Sequence, residues 1–311
     1  MSKKNNNSNF ISVIVPVYNE EKNIRSLIER LLDLNFPRNK YEVIVVDNNS
    51  KDNTSEIIKE FQVIYLCETK QSSYAARNKG IKESKGNILA FIDGDCIPDK
   101  DWLKNAITRF INEDIDIIAG NIILSINYSI PLKLIYIYQL IAMDERQKDS
   151  EKEGKCAGGN LIVKKEIFEK IGYFDERLIS GGDGEWTKRA TNNGFTLRYC
   201  NDVKVYHPLE KFGSLLKRAI RIGYGKSQIR YLLHNSSISS FLEDDKNKNI
   251  LSWVLRIYCN YIKMFWNNRK KNTLSLGKLL SLSFLSILLT SASFYGFAKG
   301  FIYFKLNRKF K

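Results

Sequence analysis

Two aspartates separated by a glycine, Asp93-Gly94-Asp95, follow directly on the apolar run NILAFI. A strand ending there holds both carboxylates at its tip, and the glycine lets the backbone turn between them. Such a pair offers hard oxygen ligands, which magnesium or manganese takes while leaving positions open for diphosphate oxygens. An acidic turn leading into a helix start at Asp99-Lys100-Asp101-Trp102 has the same composition, so the triplet alone leaves both readings open. Asp47 ends a second run, YEVIVVD, and opens Asn48-Asn49-Ser50-Lys51-Asp52-Asn53-Thr54. Those side chains suit hydrogen bonding to a base and ribose, and equally the capping of a helix by Asp52, Asn53 or Thr54.

Gly158 and Gly159, just before Asn160, let a substrate approach the backbone, or simply make a tight turn. In Ser180-Gly181-Gly182-Asp183-Gly184-Glu185-Trp186, two carboxylates stand on a glycine-rich loop entering a helix. Asp183 near a helix N-terminus is favoured in its ionised form, as a general base requires; a plain N-cap is the alternative. His207, between VKVY and Pro208, is either a further metal ligand or a packed histidine.

Those residues need a scaffold that gathers strand ends. The first two hundred positions supply short, β-branched, unalternated runs, ISVIVPV, YEVIVVD, QVIYL and NILAFID. Amphipathic stretches separate them, from about Glu20 to Leu34, Thr54 to Phe61 and Tyr74 to Ser84. Strands covered on both faces by crossover helices read this way, which predicts an α/β fold with a mostly parallel sheet and its ligand beyond the carboxyl ends. After about Tyr206 the pattern changes to basic amphipathic segments over 210–233 and 250–268, then to an uncharged run between Lys278 and Lys299. That run is near the roughly 20 residues of a bilayer crossing, and it could span or lie in the interface. Ser283, Ser286, Thr290 and Ser293 recur along it at helical spacing, a stripe suited to packing on another helix.

Charge follows the same division. Residues 201–311 hold 20 of the 49 lysines and arginines but 5 of the 34 acidic residues, whereas the first two hundred hold 29 of each. A neutral domain with a basic extension points to an anionic membrane surface; no nucleic-acid partner is expected. Five scattered cysteines suit reduced thiols in a cytoplasmic protein, and two histidines leave little for zinc. The expected division is a disordered start over 1–9, a catalytic domain over 10–210, and a basic helical extension over 211–311 with a hydrophobic membrane segment near 279–298.

Taken in order, VIVPVYNE, VVDNNSKDNT, ARNKGI, FIDGDCIPDKDWL, AGGNLIVKKEIFEKIGYFDE, GGDGEW and VYHP resemble the family 2 glycosyltransferases of the GT-A fold over roughly residues 10–210. The resemblance implies inverting, Mn2+- or Mg2+-dependent transfer of a sugar from a nucleotide-sugar donor, most commonly UDP-linked, to a saccharide or lipid-linked acceptor at the cytoplasmic face of a membrane. By that likeness Pro16, Val17, Tyr18, Asn19, Glu20 and Asp47 line the nucleotide pocket, with Arg77 and Asn78 beside the nucleoside. Asp93 then places ribose and diphosphate, Asp95 ligates metal, and His207 matches a histidine that ligates metal in some relatives. Asp183 takes the base position, with Glu185 in reserve because Gly182 stands where the family motif carries glutamate. Gly158, Gly159, Asn160 and Trp186 fall on the sugar side. Processive synthases of the family carry Gln-x-x-Arg-Trp; here Arg218-Ala219-Ile220-Arg221-Ile222 keeps only the arginine, Arg221, as a sugar contact, which implies one sugar per encounter. Two rivals stand beside this. A nucleotidyltransferase calls for a glycine-rich phosphate loop where this chain has Pro16 to Glu20, and a non-catalytic binder calls for a vestigial pocket.

Overall fold

A computed structural model describes residues 9–125, 133–234 and 276–307. Residues 1–8 of the start expected to be disordered, the basic segment 250–268 and Cys259 lie outside them. The strands are β1 (Ile11–Val17), β2 (Tyr41–Asp47), β3 (Ile64–Cys67), β4 (Ile88–Ile92), β5 (Ile97–Pro98), β6 (Ile117–Ser125), β7 (Asn160–Lys164) and β8 (Leu197–Pro208). The helices are α1 (Ile24–Leu32), α2 (Thr54–Lys59), α3 (Ser73–Glu83), α4 (Trp102–Asn112), α5 (Lys133–Lys148), α6 (Ser150–Glu153), α7 (Glu166–Ile171), α8 (Gly182–Asn192), α9 (Phe212–His234) and α10 (Leu276–Asn307). Among the described residues they form two compact units, one of 9–125 with 146–177 and 182–208, the other of 133–145, 178–181, 209–234 and 276–307.

The first unit is built on one sheet of order β3-β2-β1-β4-β7-β6-β8-β5. Its first four strands are all parallel, while β7 runs against both β4 and β6, and β5 against β8. Every residue of β1, β2 and β4 is buried, which is why their sequences show no polar alternation. Val13, Val15 and Val17 of β1 share a core with Ile24, Leu27, Ile28 and Leu31 of α1, a stripe at positions i, i+3, i+4 and i+7. Burying each such side chain contributes about 1.5–3 kcal/mol, so truncating Leu27 costs about 2–5 kcal/mol. The first helix starts later than its amphipathic stretch because Asn19 adopts a left-handed φ of 55° and the Glu20 carbonyl closes a turn onto the amides of Asn23 and Ile24. From β1 the chain proceeds outward to β2 on one side and returns to β4 on the other. Asp93 therefore follows a strand at the switch point, where ligands of such sheets bind.

In the second unit Ile135, Tyr138 and Ala142 of α5, Leu215 of α9, and Leu282, Leu285 and Leu289 of α10 make a separate apolar cluster. Ser286 and Thr290 of the hydroxyl stripe are buried in α10, on the side that packs.

Candidate active site

Four connections build the site, those after the carboxyl ends of β1, β2 and β4 and the one entering the amino end of antiparallel β7, all within the first unit. The loops after β1 and β2 are laced together. The Asn19 amide donates to Ser50 Oγ (2.9 Å), the Glu20 amide to Thr54 Oγ1 (2.8 Å), and Asn19 Oδ1 accepts from the Lys51 amide (2.8 Å). Asp47 Oδ1 accepts from the Ser50 amide and hydroxyl at 3.0 and 2.5 Å, so much of the Asn48–Thr54 segment is occupied in shaping the loop. Asn48 is spent likewise, its Nδ2 on the carbonyls of Glu68 and Lys70 and its Oδ1 on the Ser72 amide. Buried Asp47 keeps Oδ2 near the Tyr65 hydroxyl (3.4 Å), and burial with that carboxylate pushes the phenol up to about 12. Pro16 and Val17 close the floor of this edge, and Tyr18 stands 46% exposed at its rim.

Asp93 leaves β4 and pairs with Arg77 of α3 at 2.5 Å. The guanidinium is buried, and its Nε has no hydrogen-bond partner, an orphan donor at the edge of the cleft. Asn78, next to it, differs from its expected place beside the nucleoside. Its side chain bonds the Phe174 carbonyl and amide and Glu176, clamping α3 to the 174–176 loop.

The β5–β8 ladder carries Asp95 to His207. Tyr206 pairs with Ile97 and Val205 with Pro98, so one further step sets His207 beside Cys96. His207 Nε2 lies 3.5 Å from Asp95 Oδ2, while Nδ1 lies 2.7 Å from the Pro208 carbonyl. The Pro208 carbonyl can only accept, so Nδ1 carries a proton and Nε2 is the ring nitrogen turned toward Asp95, the orientation of a metal-binding imidazole. Ligand atoms of Asp95, Cys96 and His207 all lie within 4.8 Å of one another. Burial, then the charges of Asp93 and Asp95, hold the Cys96 thiol well above its ordinary range, so it stays protonated and donates to Asp95 Oδ1 at 3.7 Å. Burial also raises Asp95, with His207 opposing and Asp93 adding to it, and raises Glu20, which feels both aspartates. Two carboxyls that resist ionisation beside a third at one strand edge make a site short of positive charge, and an oxygen–imidazole donor set fits a divalent ion.

The Gly158-Gly159 turn joins this edge to α8. Asp183 Oδ2 accepts from the Gly158 amide at 2.7 Å, and Oδ1 from the Gly184 amide at 3.0 Å and the Tyr74 hydroxyl at 3.5 Å. A Cβ on Gly159 would sit 2.8 Å from Asp93 Oδ2, and one on Gly158 3.3 Å from the Arg77 guanidinium and 3.4 Å from Asp183 Cβ. Asp93, Arg77 and Asp183 therefore surround one short piece of backbone, in which only glycine leaves room. Tyr74 escaped the sequence reading; its position three residues before Arg77, on one face of α3, was the available signal.

Three expected site residues, two substrate contacts and the reserve base, are core residues. Asn160 is buried, its Oδ1 accepting from Trp102 Nε1 and its Nδ2 donating to the carbonyls of Asn121 and Val203. Trp186 is fully buried, stacked on Phe168 at 4.1 Å with its Nε1 on the Gly172 carbonyl. Glu185, the reserve base, is a buried partner of Arg189 at 2.9 Å. These side chains follow glycines that do reach the cleft, and helix and strand geometry turns them inward. Arg221 lies on α9, exposed, in the second unit. Cys67, Cys96, Cys156 and Cys200 are free thiols.

A comparison with known proteins accords with this geometry. Residues 12–172 match the profile of Glycosyl transferase family 2. Over 226 residues the chain is 39% identical to glycosyltransferase AglE of Haloferax volcanii, covering 71% of this chain and 74% of that one. It is 29% identical to the dolichyl N-acetyl-alpha-D-glucosaminyl phosphate 3-beta-D-2,3-diacetamido-2,3-dideoxy-beta-D-glucuronosyltransferase of Methanococcus voltae, over 97% of this chain and all (100%) of that one. Among solved structures, mannosyltransferase PcManGT of Pyrobaculum calidifontis, in complex with GDP-Man and Mn2+, superposes with a TM-score of 0.63 at 18% identity, covering 94% of this chain and 87% of that one. The shared fold is GT-A.

Proposed function

The chain belongs to Glycosyl transferase family 2, and from that premise we propose that it transfers one sugar, with inversion, from a nucleoside diphosphate sugar to a hydroxyl of a lipid-linked saccharide at a membrane surface. The observation that carries this is the convergence of the Asp93–Arg77 pair and the Asp183 carboxylate on the Gly158-Gly159 turn, with Asp95, two residues beyond Asp93, set against His207. The lipid-linked acceptor is supported by the Methanococcus voltae relative, whose name specifies a dolichyl phosphate sugar. Uridine is the base to test first, on the family likeness alone.

Asp47 and the laced loops after β1 and β2 hold the nucleoside, and Arg77 sets the angle of Asp93 toward ribose and diphosphate. Asp95 and His207 would hold the divalent ion, and the mixed oxygen–nitrogen set favours Mn2+ over Mg2+. When bound, that ion neutralises charge growing on the departing diphosphate. Asp183, in the first turn of α8 and fixed by Gly158 and Gly184, takes the proton of the acceptor hydroxyl as that oxygen attacks the anomeric carbon. Tyr74 holds Asp183 Oδ1 and the start of α8 together, since its hydroxyl also accepts from the Gly182 amide at 2.8 Å. The proposed division of labour gives catalysis to the first unit and membrane attachment to the second.

The test is a panel of nucleotide sugars with Mn2+, Mg2+ or chelator, scored for products. Free nucleoside diphosphate and a glycoside of inverted anomeric configuration are expected. Release of pyrophosphate instead would identify a nucleotidyltransferase, and tight nucleotide binding without turnover on any acceptor would identify a non-catalytic binder.

A further inference from the structure

Helix α10 contains a stretch, Ser281–Leu306, long and apolar enough to cross a bilayer. Its packing argues for another placement. Helices α9 and α10 lie side by side and run in the same direction. Leu215 and Leu216 cluster with Leu282 and Leu285, a Cβ on Gly223 would overlap the Ser293 carbonyl, one on Gly300 would meet Ser227 and Tyr224, and Tyr231 stacks on Phe304 at 5.1 Å. The glycines bring the two backbones together around residues 293–300 of α10, and the leucine and aromatic contacts extend the packing on either side. Opposite this packed side, Phe284, Leu288, Ser291, Tyr295, Ile302 and Leu306 recur at helical spacing and are exposed, Phe284 by 63% and Tyr295 by 59%. The stripe is about 33 Å long at 1.5 Å per residue. Lys299 and Lys305, both exposed, fall on its two flanks.

We propose that the α9–α10 pair lies in the plane of an anionic membrane, with this stripe sunk among the acyl chains and Lys299 and Lys305 at the phosphates, and that α10 does not cross. The placement rests on the membrane reading above and specifies it. A crossing α10 would carry its parallel partner with it. Gly223 meets Ser293, midway along Ser281–Leu306, so exposed Arg221 would stand near the bilayer centre and exposed Lys217 about one turn above, where charge is least tolerated. In the plane, α9 stays on the water side and only the stripe meets lipid. Charge selects the occupant. Residues 201–311 hold 20 basic against 5 acidic residues, so a second copy docked on this face would oppose like charges, which anionic headgroups neutralise.

The experiment uses the full-length chain bearing a C-terminal epitope, synthesised cell-free with vesicles of phosphatidylcholine alone or mixed with phosphatidylglycerol. The chain is expected to float with the anionic vesicles only, to be released by alkaline carbonate, and to lose its epitope to external protease. The Leu288→Glu, Ile302→Glu double variant should lower vesicle partition at least tenfold while leaving metal-dependent donor hydrolysis in solution unchanged. Ser291→Leu, which completes the stripe, should raise partition by about tenfold, so a folding defect in the first variant does not end the test. A protected epitope with carbonate resistance overturns the in-plane placement and leaves the membrane reading standing. Failure to float at all overturns both, and the activity panel remains a separate judgement on the enzyme. A soluble dimer that Leu288→Glu dissociates, without vesicle binding, assigns the face to a second copy and overturns the proposal.

Discussion

Replacing Asp183 by asparagine removes the proposed proton acceptor while keeping its shape, and the contacts around the carboxylate set the scale of the loss. It accepts from Gly158 at 2.7 Å through one oxygen and from Gly184 at 3.0 Å through the other. Asparagine has one acceptor, which takes the shorter bond and turns its NH2 toward the Gly184 amide, a donor against a donor. One charge-assisted bond becomes neutral and one part-buried donor loses its partner, which costs about 1–3 kcal/mol of stability. The barrier rises more. A positioned general base contributes about 10²–10⁴ in rate, or about 3–5 kcal/mol. The groups proposed to bind on the nucleotide side, Asp47, Asp93 and Asp95, are untouched, so donor affinity should hold while kcat falls. Nucleoside diphosphate release gives kcat and KM, calorimetry with Mn2+ gives the donor Kd, and a melt gives the stability change. Wild-type kcat in a folded Asp183→Asn variant would refute the assignment; an equal loss of donor affinity would make Asp183 a structural cap instead.

Asp95→Asn should abolish the thermal shift that Mn2+ produces, yet raise Tm in chelator. Burial lifts the Asp95 carboxyl above its ordinary value, so its ionised form costs stability at neutral pH, and the gain over wild type should vanish as pH falls through the unfolded carboxylate range near about 4. Gly159→Ala forces a methyl to within 2.8 Å of Asp93 Oδ2 and should lower kcat/KM by about 10–100-fold, the equivalent of roughly 1–3 kcal/mol of overpacking. Gly158→Ala, with 3.3 Å to Arg77, should cost less than about tenfold in the same assay. Glu185→Gln breaks the buried pair with Arg189 and should destabilise by about 3–5 kcal/mol in urea melts while leaving kcat near wild type at low temperature. Equal loss of kcat would return Glu185 to the role of base.

The sheet was readable because β1, β2 and β4 are buried on both faces and their β-branched runs carry no alternation. The acidic strand end was readable for the same reason, since Asp93 and Asp95 follow one of those runs. Less visible was the two-residue β5, too short for any periodic signal, although its pairing with β8 sets His207 against Asp95. Asn160, Trp186 and Asn78 sit beside residues that line the cleft, and only the tertiary fold reveals that their side chains point into the core. Tyr74 was missed for the converse reason: an aromatic on a helix reads as packing, and its hydroxyl gains meaning only when α8 arrives 108 positions later. In the basic third of the chain, composition pointed to an apolar helix of bilayer length, while the parallel glycine-mediated contact of α9 with α10 depends on register that composition does not encode.

The pairing of β6 with β8 changes register between Gly120 and Asn121, which face Cys200 and Lys204, so β8 carries three residues there with no counterpart. Because side chains alternate along a strand, an odd surplus reverses which face the remainder of β8 presents relative to β6. The segment 201–203 thus acts as a phase setter for the imidazole downstream. Shortening it by a single residue would turn His207 to the opposite side of the sheet together with fully buried Val205, so the placement of the imidazole is tied to the core that the same strand completes.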